Sequence, residues 1–347
     1  MGDENDLVLE KDLVLIEKLK KWKEVQMGET GQGNAHGDLE GKRGEKSKYK
    51  AYEIKNFNER VEGDFTNNVV NIISQKRGPF QYSSKLDREF EDRPKEIKTW
   101  RTLENGAKYE GEWSGKERYG RGSQIWPDGS RYDGYWMNDK ANGYGRLIHA
   151  NGDMYEGQWK DNRANGYGEY FHLEGAEYVG TWLNDRQHGK GKETWPDGAQ
   201  YDGDYVNGKK EGKGKFLWSD GSTFEGDFLD NNIHGRGTYK WADGRVFSGE
   251  WSCNKMHGKG VFEWKDGRKY EGDYVDDKKE GLGTFYWSDG RIYVGQWKDG
   301  KQHGFGKFMK PTDEQGEDPE FMYGEWDDGK RIRWCSKEEV KATGLDI

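Results

Sequence analysis

Residues 201–223 read YDGDYVNGKKEGKGKFLWSDGST, and residues 224–246 read FEGDFLDNNIHGRGTYKWADGRV. Aligned, the two lines share an aromatic at Tyr201 and Phe224, a glycine two positions on at Gly203 and Gly226, and a second aromatic at Tyr205 and Phe228. A G-x-G follows at Gly212 and Gly214, matched by Gly235 and Gly237, and then a D-G at Asp220 and Asp243. Marked residues spaced by two argue for strands rather than helix, and the Asn, Gly and Lys between the halves suit a tight turn. Each line is predicted to be one β-hairpin.

Outward from these lines the first aromatic recurs every 23 residues, at Tyr109, Tyr132, Tyr155, Tyr178, Tyr201, Phe224, Phe247, Tyr270 and Tyr293. The second gives Trp113, Trp136, Trp159, Trp182, Tyr205, Phe228, Trp251, Tyr274 and Trp297. This second row is the candidate partner-binding face. A partial tenth unit, Tyr323, Gly324 and Trp326, follows an insert at 311–320.

Closing the hairpins symmetrically sets Trp136 opposite Gly143, Gly134 opposite Gly145 and Tyr132 opposite Leu147. The D-G turn sets Trp218 opposite Phe224 and Gly214 opposite Phe228. Gly143, Gly145, Gly212 and Gly214 are thus structural glycines beneath rings. A strand glycine costs about 0.5–1 kcal/mol, and burying a large apolar side chain contributes roughly 1.5–3 kcal/mol in return. No hairpin can bury its rings alone, so stability has to come from stacked neighbours.

Y-x-G-x-W, G-x-G and D-G at this period resemble the membrane occupation and recognition nexus (MORN) repeat family over roughly residues 103–331. His149 and His172 depart from it in place of the second-strand Trp, and Glu174 in place of the turn Asp. The resemblance implies an all-β fold, an elongated single-sheet array of hairpin repeats with short helical or irregular flanks. At ~4.8 Å per strand, nine units would span roughly 85 Å. It also implies a structural scaffold rather than an enzyme. MORN proteins without a catalytic domain, among them radial spoke head proteins of cilia and other cytoskeletal scaffolds, are the most similar type. The implied setting is the cytoplasm, in an axoneme or other cytoskeletal assembly; the alternative is a membrane-associated scaffold binding phosphoinositides.

Composition agrees with a thin aromatic fold. Of 347 residues only 31% are hydrophobic, yet 52 are Gly and 16 are Trp, too many aromatics for a disordered chain. A net charge of −9 argues against nucleic acid as a partner. Two cysteines make no disulfide or metal framework, and no apolar run is long enough for a signal peptide or a bilayer span, so an intracellular, soluble protein is expected. The G-x-G pairs lie inside strands, without the strand-loop-helix context that phosphate binding needs. His188, His234, His257 and His303 recur along the array rather than converging, which reads as turn residues and not metal ligands. No catalytic residue, cofactor or metal is expected. Bases at Arg121, Lys190, Lys213, Arg236 and Lys259 are expected to be neutralised across the hairpins, Glu112 facing Arg121, Asp204 facing Lys213, Asp227 facing Arg236 and Glu250 facing Lys259.

The flanks divide into 1–26, with helical apolar stripes at Leu9, Leu13, Ile16 and at Leu15, Leu19, Trp22; a glycine-rich linker at 27–50; a mixed capping segment at 51–102, with a strand expected at Val69–Ile73; and a C-terminal capping helix within 332–347, announced by Ser336 and Glu339. The expected partners are proteins, offering a helix or an extended peptide to an aromatic groove within a larger assembly. A homodimer stays open, and membrane lipid ranks below protein.

Overall fold

The computed structural model describes residues 65, 67–311, 321–345 and 347. The helix expected within 1–26, the linker at 27–50 and most of the insert lie outside the described residues. Two compact units divide the chain at Lys209 and Lys210. The fold is almost entirely β, an open antiparallel sheet of hairpins, with twenty-one strands among the described residues.

In the first unit, Glu96–Thr102 pairs with Lys108–Ser114, and hairpins follow in chain order as far as Gln200–Val206. In the second, the same meander runs from Lys209–Leu217 to Lys330–Cys335. A representative hairpin joins Arg131–Met137 to Lys140–Ile148 through Asn138 and Asp139, whose φ angles are 50° and 66°. That left-handed pair is what a two-residue turn matching the strand twist requires.

The register corrects the symmetrical closure. Tyr132 does pair with Leu147 and Gly134 with Gly145, but Trp136 pairs with Ala141, because the second strand carries two extra residues between these pairs. Gly143 sits in that bulge at φ 72°, its missing side chain aimed at Tyr135 and Phe90 on the face away from the rings. Its true Cα partner is Trp159 of the next hairpin. The D-G junction differs for a related reason. It is a three-residue loop with glycine in the left-handed position, closed by Trp218 N–H donating to the Ser222 carbonyl at 2.9 Å. Gly214 therefore faces Gly226, and Gly212, itself at φ 64°, faces Phe228. The four histidines lie in the second strands beside the bulges, not in turns.

The bulge also moves the charge pairs. Each acid looks back to the base of the preceding hairpin: Lys190 meets Asp204 at 2.7 Å, Lys213 meets Asp227 at 2.5 Å, Arg236 meets Glu250 at 3.5 Å and Lys259 meets Asp273 at 2.5 Å. Within its own hairpin the same side chain caps the bulge. Glu112 accepts the Arg121 N–H at 2.7 Å and Asp227 accepts the Arg236 N–H at 2.9 Å. A Cβ on Gly120 or Gly235 would strike those carboxylates, so the bulge glycine makes room for the cap.

Neighbouring hairpins lock at the turn tips. Asn162 accepts the Ala141 N–H at 2.7 Å, while the Asn162 N–H donates to the Ala141 carbonyl at 2.9 Å; Asp185 with Ala164 and Asn254 with Ile233 repeat the pattern. The strand expected at Val69–Ile73 is instead part of helix α1 (Asn68–Arg77). Asn67 caps it by accepting the Val70 N–H at 3.1 Å, and Val70 and Ile73 bury against Ile148 and Met154. Burial of one apolar stripe overrides the β preference of Val and Ile. A short helix α2 (Ser84–Asp87) follows. At the other end α3 (Lys337–Ala342) starts with a full capping box of Ser336 and Glu339. It packs on Phe321–Asp327 through Val340 rather than covering the last strand, which remains exposed and is blunted by Lys330, Arg331 and Arg333.

Candidate protein-binding surface

The recurring Tyr or Phe lies flat over two paired glycines of its own hairpin. A Cβ on Gly145 would stand 2.3 Å from the Tyr132 hydroxyl, and one on Gly122 would overlap the Tyr109 ring. With no side chain beneath it the ring reaches the backbone, and the Tyr132 hydroxyl donates to the Tyr135 carbonyl at 3.1 Å. The second-row rings stand edge-on to it. Tyr132 touches its own Trp136 at a centroid distance of 5.1 Å and Trp159 of the next repeat at 5.2 Å, both nearly perpendicular. The indole N–H groups of Trp136, Trp159, Trp182, Trp251 and Trp297 then donate across to a glycine carbonyl, Trp136 to Gly122 at 3.1 Å and Trp297 to Gly283 at 3.1 Å, whereas the buried Trp113 N–H has no acceptor among the described residues.

This packing hides the proposed contact row. Trp113, Trp136, Trp159, Tyr205, Phe228, Trp251, Tyr274 and Trp297 are buried, Trp136 to 1% exposure, and Trp182 is half-buried. These rings hold the repeats together, and the expectation that they form a displayed contact face is corrected by that burial. Beside them runs a second, outer row, half-buried at its tryptophans and buried at Phe262 and Phe285. In the second unit Phe216, Trp218, Tyr239, Trp241, Phe262, Trp264, Phe285 and Trp287 pack in sequence at 4.4–5.6 Å. Trp241, Trp264 and Trp287 are half-buried, each under an arginine (Arg245, Arg268, Arg291) held by its own turn aspartate. The sequence placed the tryptophan of this repeat position in the second strand, Trp218 opposite Phe224, without giving it a surface role; its period was the signal that could have singled the row out.

The face away from the rings differs between the units. In the first, the chain covers it with its own segment 78–90. Arg146 donates to the Gly78 carbonyl at 2.9 Å, Phe80 stacks on Tyr144 at 6.0 Å, and Tyr82 sits edge-on to Tyr135 with its hydroxyl reaching the Gly122 carbonyl at 3.4 Å. Asp87 takes a fork of two hydrogen bonds from Arg121 and a third from Tyr135 at 2.9 Å. Arg121 chiefly, and Tyr135 after it, hold the Asp87 carboxyl below its usual range, while burial lifts the Tyr135 phenol to about 12. Phe90 closes the segment between Tyr119 and Tyr135.

Six 23-residue repeats further on, the same positions in the second unit line a groove of about 580 Å³. Its floor is the glycine row Gly260, Gly272, Gly283 and Gly295; Lys259 stands where the first unit has Arg121, Leu282 where it has Tyr144, and Thr284 where it has Arg146. Ile347 also lines it. Leu282 is 45% exposed. The two charged groups of the lining are already paired, Lys259 with Asp273 and Glu271 with Lys269 at 3.1 Å, so the groove carries little net field. Among the described residues no group of three or more His, Cys, Asp or Glu is placed to hold a metal, and no helix is long and apolar enough to cross a membrane.

Hairpins joined in chain order, each burying its rings over its own glycines and against the neighbouring hairpins, define a protein of repeats. The chain belongs to the MORN repeat family, whose pattern matches residues 109–131, 132–154, 155–171, 178–200, 201–223, 224–244, 247–267, 270–290 and 293–313. Such repeats are associated with scaffolding and protein interaction. No curated protein matches the chain. Among solved structures it is similar to the TCP domain of SAS-4 (dCPAP) from Drosophila melanogaster, in complex with a proline-rich motif of Ana2 (dSTIL), at 15% identity and a TM-score of 0.28 over 57% of this chain and 96% of that one. The TCP10 domain of Danio rerio CPAP is similar at 15% identity and a TM-score of 0.26 over 60% and 96%.

Proposed function

We propose that this MORN protein is a non-catalytic scaffold whose second unit receives an extended, aromatic-bearing peptide of a partner in the glycine-floored groove. One observation carries the reading. The chain fills the equivalent groove of its first unit with such a segment, Gly78–Ser83, whose Phe80 and Tyr82 are two apart and rest on the walls. Leu282, Val261 and Val294 offer similar apolar walls, and the paired lining charges favour a peptide held by rings and backbone hydrogen bonds rather than by net charge.

A labelled peptide with the sequence of residues 78–87, titrated into the full chain, should bind saturably at physiological salt and lose affinity with Leu282→Glu. Absence of saturable binding, or indifference to that change, would remove the groove from the reading. For the assembly we propose a cilium or other cytoskeletal structure, on the likeness to MORN proteins without a catalytic domain; a tagged chain that did not fractionate with axonemes or cytoskeleton would reject it. Phosphoinositide vesicles should bind weakly and lose binding near physiological salt, because exposed charges that are already paired leave little potential after screening. Salt-resistant vesicle binding would shift the proposal to a membrane scaffold.

A further inference from the structure

Successive repeats of the second unit carry a tryptophan at the start of the D-G loop, Trp218, Trp241, Trp264 and Trp287, a run that His149 and His172 interrupt in the first unit. All four rings are half-buried. A second-strand Tyr or Phe lies between neighbours, as Phe262 does between Trp241 at 5.2 Å and Trp264 at 4.4 Å. The indole N–H groups of this row differ from those of the inner row. None of the four has a hydrogen-bond acceptor among the described residues, and none is sealed from solvent as that of Trp113 is. Arg245, Arg268 and Arg291 flank the last three indoles at 5.2–5.4 Å. Each gives its Nε–H to the aspartate of its own turn at 2.7–2.8 Å, which leaves its terminal N–H groups without an acceptor among the described residues.

We infer that this row is a docking track for a partner segment in polyproline II conformation with a proline at every third residue, separate from the glycine-floored groove on the opposite face of the sheet. The spacing selects the occupant. Two strands set equivalent tryptophans ~9.6 Å apart, and a polyproline II helix repeats its face every three residues, ~9.3 Å, so over three intervals the mismatch stays under about 1 Å. A β-strand repeats its face every ~6.7 Å, and an α-helix returns to one after seven residues at ~10.5 Å, a mismatch of about 3 Å over the same rings. The donors select the same occupant. Polyproline II makes no internal hydrogen bonds, so its carbonyls can accept from the indole and guanidinium N–H groups, whereas an α-helix has already engaged its own. Each arginine is paired with its turn aspartate, so the track offers rings and donors with little net field. That suits proline, which brings an apolar ring and no N–H of its own.

The test titrates the full chain into a fluorescein-labelled oligoproline of about twelve residues, enough to span the four rings at three residues each, and reads anisotropy at physiological salt. Binding should be saturable, and it should weaken about ten-fold or more when the peptide is cut to about four residues, which reach only two rings. Trp264→Phe, which keeps a ring but removes the indole donor, and Arg268→Met, which removes the guanidinium donors, should each weaken binding roughly three- to ten-fold while circular dichroism reports an intact sheet. Leu282→Glu, in the groove on the other face, should leave this binding unchanged, so the track and the groove fail independently. Absence of saturable binding overturns the inference, as does binding that Leu282→Glu abolishes and Trp264→Phe leaves untouched. Equal affinity for an alanine-rich helical peptide or a glutamate-rich peptide overturns it too, because rings or charge would then act without the polyproline spacing. Should Trp264→Phe fail to fold, Arg268→Met decides in its place, and undiminished binding in it rejects the track.

Discussion

Asp185 shows how far one repeat position can be tuned. Its carboxylate accepts the Ala164 N–H at 2.7 Å, the lock that Asn162 and Asn254 make elsewhere with an uncharged oxygen. Burial pushes the Asp185 carboxyl up to about 6. Between its ordinary value and about 6 the folded chain keeps a proton that the unfolded chain has released, so stability declines as pH rises through that window and the deficit is complete at neutral pH. Asp185→Asn should therefore raise the melting temperature at neutral pH, and the difference from the parent should disappear on acidification below about pH 4. A melting difference independent of pH would show that the charge is not the cause. At Gly143 the bulge and the opposite face decide. Gly143→Val should destabilise by roughly 1–3 kcal/mol in a denaturant titration, from the left-handed backbone and from crowding Tyr135 and Phe90. A Phe90→Ala background should relieve only the Phe90 share of the crowding, since the Tyr135 Cβ at 3.3 Å stays in place, so most of the loss should persist there. Lys213→Glu, on an exposed pair with Asp227, should move stability by less than about 1 kcal/mol.

At the scale of the hairpin, what was legible were the features with a fixed spacing. Strand existence, the outer register Tyr132–Leu147 and the C-terminal capping box follow from periodicity and side-chain chemistry that local sequence carries. The bulge was not legible, because a glycine at Gly143 and one at Gly145 look alike until the backbone shows that only Gly143 is left-handed. The burial of the Trp136 row was legible only in part: stacking between neighbours was expected, but the spacing does not tell that a Tyr on each side closes over the indole and leaves none of it for display. Helix α1 was misread because Val69, Val70, Ile72 and Ile73 favour a strand locally, and only the contact with Ile148 and Met154 favours a helix. The turn-tip lock yields an element-scale expectation. Asn254→Gly keeps the left-handed turn but removes the acceptor for the Ile233 N–H, so it should cost about 1 kcal/mol and speed hydrogen exchange at that amide. Unchanged protection at Ile233 would mean that the backbone bond to its carbonyl suffices.

For the whole molecule, repeats that touch only their neighbours make stability a sum of units and interfaces rather than the property of one core. Denaturation should therefore broaden as repeats are deleted from an end, since cooperativity resides in the interfaces. One consequence belongs to the ladder of rings rather than to its mechanics. Trp113, Tyr109, Trp136, Tyr132, Trp159 and Tyr155 follow one another at 5.1–5.4 Å, close enough for their electronic transitions to mix and for excitation to pass from ring to ring before it is emitted. The chain thus carries its own optical gauge of assembly: intense coupled bands in the near-ultraviolet dichroism and strongly depolarised tryptophan emission, both of which fade wherever one hairpin slips away from the next.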